Sequence, residues 1–270
     1  MTKKVIKKTI ITEEVVNGDK TLIVCILDRS GSMSSVIDDA IGGFNEFLKN
    51  QKKLDGEATM TVALFDDRYE LLYNNVDLQK VKKITRAEWS PRGMTALYDA
   101  IGKTINNVDS EIKKVKKSKR PDKIMVIIAT DGYENYSKEY SHSDIKNLIK
   151  KKEKEDWIFT YIAADQDAFQ IGTSFGVCGG NTFTYTNTSY GNAVMYDSLN
   201  MATTKLRGIS KKSANYAAVT SSLFSENDGN VDVDNNISLG AGSINFDAGN
   251  VTFTTTADNK TDVKDEEGNS

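Results

Sequence analysis

Apolar residues recur along the chain in two rhythms. Residues 22–27 form an unbroken apolar run that ends at Asp28, the pattern of a strand covered on both faces. Over 34–51 the spacing changes: Val36, Ile37, Ala40, Ile41, Phe44, Phe47 and Leu48 fall on one side of a 3.6-residue period and predict a helix. Met60, Val62, Leu64 and Phe65 predict a second strand, and residues 69–73 a third. Only Asp66-Asp67-Arg68 separates these two, so they are expected to pair as a hairpin. Leu97, Ile101, Ile105, Val108 and Ile112 predict another helix, and 124–129 a further buried strand. Helix 143–152, strand 157–163, a short helix 168–174, strand 182–185 and helix 192–207 complete the alternation.

Strands alternating with helices imply an α/β fold of the Rossmann-like, doubly wound kind. The sheet is expected to be mostly parallel, with helices on both faces and the hairpin adding one antiparallel edge strand. Ligands of such sheets collect at the carboxyl ends of the strands, near the point where strand order reverses. Attention therefore falls on the turns after Leu27, Ala129 and Ala163.

Charge divides the chain further. Residues 226–270 hold ten acids and two bases, in a stretch rich in Gly, Asn, Thr and Ser, while the whole chain carries only −3. The reading is an N-terminal extension (1–19), a main domain (20–224) and an acidic tail (225–270). Within the extension, residues 6–16 alternate weakly before Asn17-Gly18, a hairpin signal that suggests an extra strand. In the tail, Ser243–Phe246 and Val251–Thr254 are read as a β-hairpin or as partly disordered, and residues 262–270 as mobile.

Composition removes several classes of function. The small net charge gives no footprint for nucleic acid. The longest apolar run is too short to cross a bilayer, and the basic N-terminus lacks the continuous apolar stretch of a secretory signal. Two cysteines, Cys25 in an apolar run and Cys178 in a Gly-rich loop, build neither a disulfide framework nor a zinc cluster. A reducing cytoplasm is the expected compartment.

The chemistry concentrates at three turns. Asp28-Arg29-Ser30-Gly31-Ser32-Met33 places a carboxylate and two hydroxyls at alternate positions after the first strand. Thr130-Asp131-Gly132 places a second strand-end carboxylate, and Ser90-Pro91-Arg92-Gly93-Met94-Thr95 delivers a hydroxyl at a helix start. Neighbouring strands lie about 4.8 Å apart, so these turns can meet. Hydroxyl and carboxylate oxygens without His or Cys suit a hard octahedral cation, Mg²⁺ first and Mn²⁺ second. The plainer alternative is that Asp28, Ser30 and Ser32 only cap the following helix.

Taken together, Asp28-x-Ser30-x-Ser32, Thr95 and Thr130-Asp131-Gly132 resemble the metal-ion-dependent adhesion site of the von Willebrand factor type A family, of a bacterial or phage-type intracellular kind. The likeness covers about residues 20–207. It implies that Ser30, Ser32 and Thr95 bind metal through hydroxyls, that Asp28 and Asp131 act directly or through water, and that an Asp or Glu of a protein partner completes the shell. Arg29, Met33, Gly93, Met94 and Gly132 are expected to face that partner. By analogy the partner is an AAA+ ATPase or a large assembly.

Other signals are weaker. Phosphatases with a strand-end Asp nucleophile need a second carboxylate two residues on, where Ser30 stands. His142 is read as a surface residue. The basic run 113–120 is read as a solvated helix end, as are the lysines of 150–154. Asp228-x-Asn230-x-Asp232-x-Asp234 lacks the central glycine and closing acid of a calcium loop. The leading expectation is a non-catalytic, metal-dependent binding module. A bacteriophage structural component, located in the virion, is the first alternative. A metal-dependent hydrolase using Asp131, Asp165 or Glu134 as base is the second.

Overall fold

The computed structural model describes residues 19–224 and three strands within 236–255. Chain contacts divide it into two compact units, Met1–Leu223 and Phe224–Ser270. In the first, β1 (Thr21–Asp28), β2 (Ala58–Phe65), β3 (Tyr69–Asp77), β4 (Lys123–Thr130), β5 (Trp157–Ala164) and β6 (Thr182–Tyr185) form one sheet in the order β3-β2-β1-β4-β5-β6. Every pairing is parallel except β2 with β3. The expected Rossmann-like sheet with one antiparallel edge strand is what the chain forms.

The sheet is covered on both sides, which is why its central strands read as solid apolar runs. Alternate β1 residues Leu22, Val24 and Ile26 enter a cluster with α2 (Leu97–Lys114), α3 (His142–Glu153) and α4 (Ala168–Phe175). Against the other face lie α1 (Ile37–Lys53) and α5 (Ser189–Gly208), which pack on each other; Thr203 of α5 reaches the Met125 sulfur of β4. A short α6 (Tyr216–Thr220) comes next. Ile23, Cys25, Met60, Val62, Met125 and Ile127 are all buried to within 1% of full cover.

Helix starts differ from the apolar spacing because caps, not core contacts, set them. Ser141 caps α3 in a box with Asp144, so the helix begins at His142. Thr188 caps α5 by accepting from Gly191 N, so the helix begins at Ser189, three residues ahead of the start expected at 192. Two polar expectations also change. Lys152 is not solvated: it is 1% exposed, pairs with Asp109 at 2.6 Å and Glu155 at 2.7 Å, and lies over the Trp157 ring. His142 is half-buried, its ring 4.9 Å from that of Phe175 and its Nε2 2.9 Å from Ser174 Oγ.

The second unit contains an antiparallel sheet of β7 (Asn236–Leu239), β8 (Gly242–Asp247) and β9 (Asn250–Thr255). The β8–β9 pair is the hairpin read from the sequence; β7 was not expected. The extension with its Asn17-Gly18 signal, the Asp228–Asp234 motif and residues 262–270 lie outside the described residues.

At the α1–α5 contact the Tyr196 ring lies flat against Gly43. An added Cβ there would sit 2.1 Å from ring carbon Cδ2. Gly43→Val is expected to overpack this contact and lower unfolding free energy by about 1–3 kcal/mol in urea titrations. An unchanged midpoint would show that α1 and α5 do not meet this way.

Candidate metal centre

Parallel pairing of β1 with β4 puts Leu27 opposite Ala129, so their next residues, Asp28 and Thr130, leave the sheet side by side. Strand order reverses at β1, which has β2 on one flank and β4 on the other. Asp28 is 1% exposed. Its Oδ2 accepts from Thr130 Oγ1 at 2.5 Å and its Oδ1 from Ser30 N at 2.6 Å.

The chain then turns through a 3₁₀ segment, Gly31–Ser35, before α1. Neither this turn nor α1 receives a cap hydrogen bond from the side chain at its N-cap, Ser30 or Val36. Ser30 therefore does not act as a cap, Asp28 bonds an amide ahead of the 3₁₀ turn, and the Ser30 and Ser32 hydroxyls are turned toward each other. Ser30 Oγ and Ser32 Oγ are 3.0 Å apart, and Ser32 Oγ donates to Asp131 Oδ1 at 2.7 Å. Thr95 arrives from the third turn, 3% exposed. A Cβ placed on Gly132 would lie 3.0 Å from Thr95 Oγ1 and 3.5 Å from Ser32 Oγ, so glycine is what lets the three turns close. All five oxygen-bearing side chains are brought together.

The set fits a hard cation. Adjacent ligands of an octahedral Mg²⁺ at about 2.1 Å are separated by roughly 3 Å, close to the Ser30–Ser32 and Ser32–Asp131 spacings. Among the described residues no group of three or more His, Cys, Asp or Glu forms a rival site. Electrostatics agree. Burial pushes the Asp28 carboxyl up to about 6, against the pull of the Thr130 and Ser30 hydrogen bonds, with the Asp131 charge adding to the rise. Asp131 is also raised, first by burial and further by the Asp165 charge. Two poorly solvated carboxylates facing one gap are the arrangement that a divalent ion relieves.

A buried ionic network holds the turns. Asp66, fully buried, accepts from Arg29 Nε at 2.9 Å and from Arg92 Nε at 2.8 Å. Arg29 Nη1 also meets Glu70 at 2.7 Å. Main-chain bonds run alongside: Arg92 N to Arg29 O, Gly31 N to Gly93 O and Ala96 N to Asp66 O. Gly93 takes φ +67°, and a Cβ there would meet Asp67 Oδ1 at 2.1 Å. Trp89 Nε1 donates to Asp28 O. On the far side, Asn135 Oδ1 accepts from Thr95 N, and Asp99 accepts from three successive amides, 138–140.

Two residues expected to face a partner do not. Arg29 is 2% and Met33 4% exposed; the first is consumed by Asp66 and Glu70, the second packs inward beneath the 3₁₀ turn. Met94, also expected there, is exposed (47%), and so is Tyr133 (65%), which was not; they lie on the turns that carry Thr95 and Gly132. Tyr133 was missed, as were Asp66, Trp89 and Asn187, whose Nδ2 reaches Asp131 Oδ2 at 3.4 Å. Of the bases considered for a hydrolase, Glu134 is occupied by the amides of Tyr98, Tyr136 and Ser137.

No family model and no curated protein matches the sequence. Solved structures do resemble it. The pilus adhesin SpaC of Lactobacillus rhamnosus GG, in its open conformation, shares 13% identity at a TM-score of 0.53, over 70% of this chain and 30% of that one. Proximal thread matrix protein 1 of the mussel byssus shares 17% at 0.49, over 68% and 46%. A von Willebrand factor type A structure from Catenulispora acidiphila shares 13% at 0.49, over 69% and 43%. The chain spans less than half the length of each of these three proteins. At such identities the likeness is one of fold.

In the metal-free protein the Asp28 shift sets a pH dependence. Its folded value of about 6 exceeds the ordinary 3.8, so the folded state holds the extra proton between those values. This group's contribution is fully favourable below about pH 4 and is lost as pH rises through 6, a penalty of about 3 kcal/mol at neutrality. Asp28→Asn is therefore expected to stabilise the metal-free chain at pH 7 by about 1–3 kcal/mol and to change it little at pH 4. Chemical denaturation at the two pH values in EDTA reads the difference; equal effects would contradict it.

Proposed function

We propose that the chain is a von Willebrand factor type A-like binding module that captures a protein partner's Asp or Glu carboxylate on a Mg²⁺ held by Ser30, Ser32, Thr95, Asp28 and Asp131. The observation that carries this reading is the convergence of three hydroxyls and two half-solvated or buried carboxylates at the β1 and β4 ends, with Gly132 keeping the gap open. Neutral hydroxyls as the inner ligands leave the ion net positive charge, which is what an incoming carboxylate needs. When bound, the ion supplies that electrostatic grip; the chain supplies its cage and rim.

The role is binding rather than catalysis. Glu134 is saturated by amides, His142 of α3 is packed against Phe175 of α4, and Asp28 is hydrogen-bonded from two sides. The exposed side chains beside the cage, Met94 and Tyr133, suit contact with apolar surface flanking the partner's acid. That a pilus adhesin shares the fold is in keeping with such a role. We place the working module at residues 20–224, with the extension and acidic tail as appendages. A cytoplasmic setting is supported by two free cysteines, one of them, Cys178, exposed. Among the described residues no helix is long and apolar enough to cross a membrane.

Titration with Mg²⁺ or Mn²⁺ is expected to show one site per chain, weakened at least tenfold by Thr95→Ala and by Asp28→Ala. Capture of partner from native lysate should vanish in EDTA, return on adding Mg²⁺, and fail with Thr95→Ala. Capture that is indifferent to EDTA and to both substitutions would refute the reading.

A further inference from the structure

A fourth turn touches the cage, and its side chain is left half-satisfied. Asn187 lies between β6 and the start of α5. Its Nδ2 donates to Asp131 Oδ2 at 3.4 Å, and its backbone N donates to Asp165 Oδ1 at 3.1 Å. The opposite atom of the same amide, Oδ1, is buried and meets no donor among the described residues. Turning the amide over does not help, because Oδ1 would then face the Asp131 carboxylate. A buried acceptor without a donor is costly and uncommon. It calls for a donor that the described residues do not supply, at a turn whose recorded neighbours, Asp131 and Asp165, are both acceptors.

We propose that Asn187 is a positioning residue of the cation site, accepting through Oδ1 from water in the ion's shell while Nδ2 steers Asp131. This rests on the metal reading above and extends the site from three turns to four. Water bound to a divalent ion is a strong donor, which is what Oδ1 lacks. A neutral amide suits the position because an acid there would add a third carboxylate beside Asp131 and Asp165. The Nδ2 contact leaves Asp131 Oδ1 free for Ser32, the orientation that the cage requires. Partners of this kind, one layer outside the ligands, commonly set metal affinity.

Two variants separate positioning from folding. Asn187→Leu keeps the bulk and removes both polar atoms; Asn187→Asp keeps an acceptor and removes the donor. Mn²⁺ affinity is read by the loss of the free-ion electron paramagnetic resonance signal, and the metal-free unfolding midpoint is read in EDTA. Asn187→Leu should weaken Mn²⁺ about tenfold while the metal-free midpoint holds or rises, since the orphaned oxygen is gone. Asn187→Asp should lower the metal-free midpoint through repulsion from Asp131 yet bind Mn²⁺ more tightly than the Leu variant does. Wild-type affinity in Asn187→Leu, or a drop in its metal-free midpoint, would overturn the proposal and leave the metal reading standing. A wild-type chain that binds no Mn²⁺ would overturn both.

Discussion

The site depends on one electrostatic constraint: two carboxylates, one buried and one half-buried, face the same small gap. Asp28 is 1% exposed and Asp131 half-buried, and burial raises both. In an ordinary core this is a defect, since a buried charge needs a partner. The hydrogen bonds from Thr130, Ser30, Ser32 and Asn187 offset only part of it. The remaining deficit has the sign that a divalent cation would relieve, so the electrostatics of the metal-free site and the proposed activity point the same way.

Such a gap stays open only on a rigid frame. Parallel pairing fixes Asp28 beside Thr130 to within one residue of register. Asp66, unable to reach water, binds two arginines and so ties the β1 end to the β2–β3 turn and to the loop that brings Thr95. Breaking a buried pair of this kind strands a charge, which is why Arg29 serves the frame and not a partner. The glycines act where side chains cannot go: Gly132 against Thr95 and Ser32, and Gly93 at positive φ against Asp67.

Much of this was legible in the sequence, for a physical reason. A strand buried on both faces reads as an apolar run, and its last residue marks a ligand position in a parallel sheet. That rule drew attention to the strand-end acids Asp28 and Asp131, and the resemblance to the von Willebrand factor type A site added Ser30, Ser32 and Thr95; the structure brings these five side chains together. What stayed hidden depends on long-range pairing. Arg29 reads as solvent-facing until Asp66, 37 residues later, folds beneath it. Lys152 reads as part of a solvated run until Asp109 and Trp157 enclose it. Asn187 carries no motif; only its place after a strand end, between two threonines, hinted at a role.

Whether a cation sits where these turns meet can be observed directly. Crystals of the chain grown or soaked in Mn²⁺ give anomalous scattering that locates the ion without assumption. A single strong peak is expected, bonded to the hydroxyl oxygens of Ser30, Ser32 and Thr95, with Asp28 and Asp131 close around it. Crystals saturated with Mn²⁺ that show no peak between those turns, or show it elsewhere on the chain, would contradict a cage built around a cation.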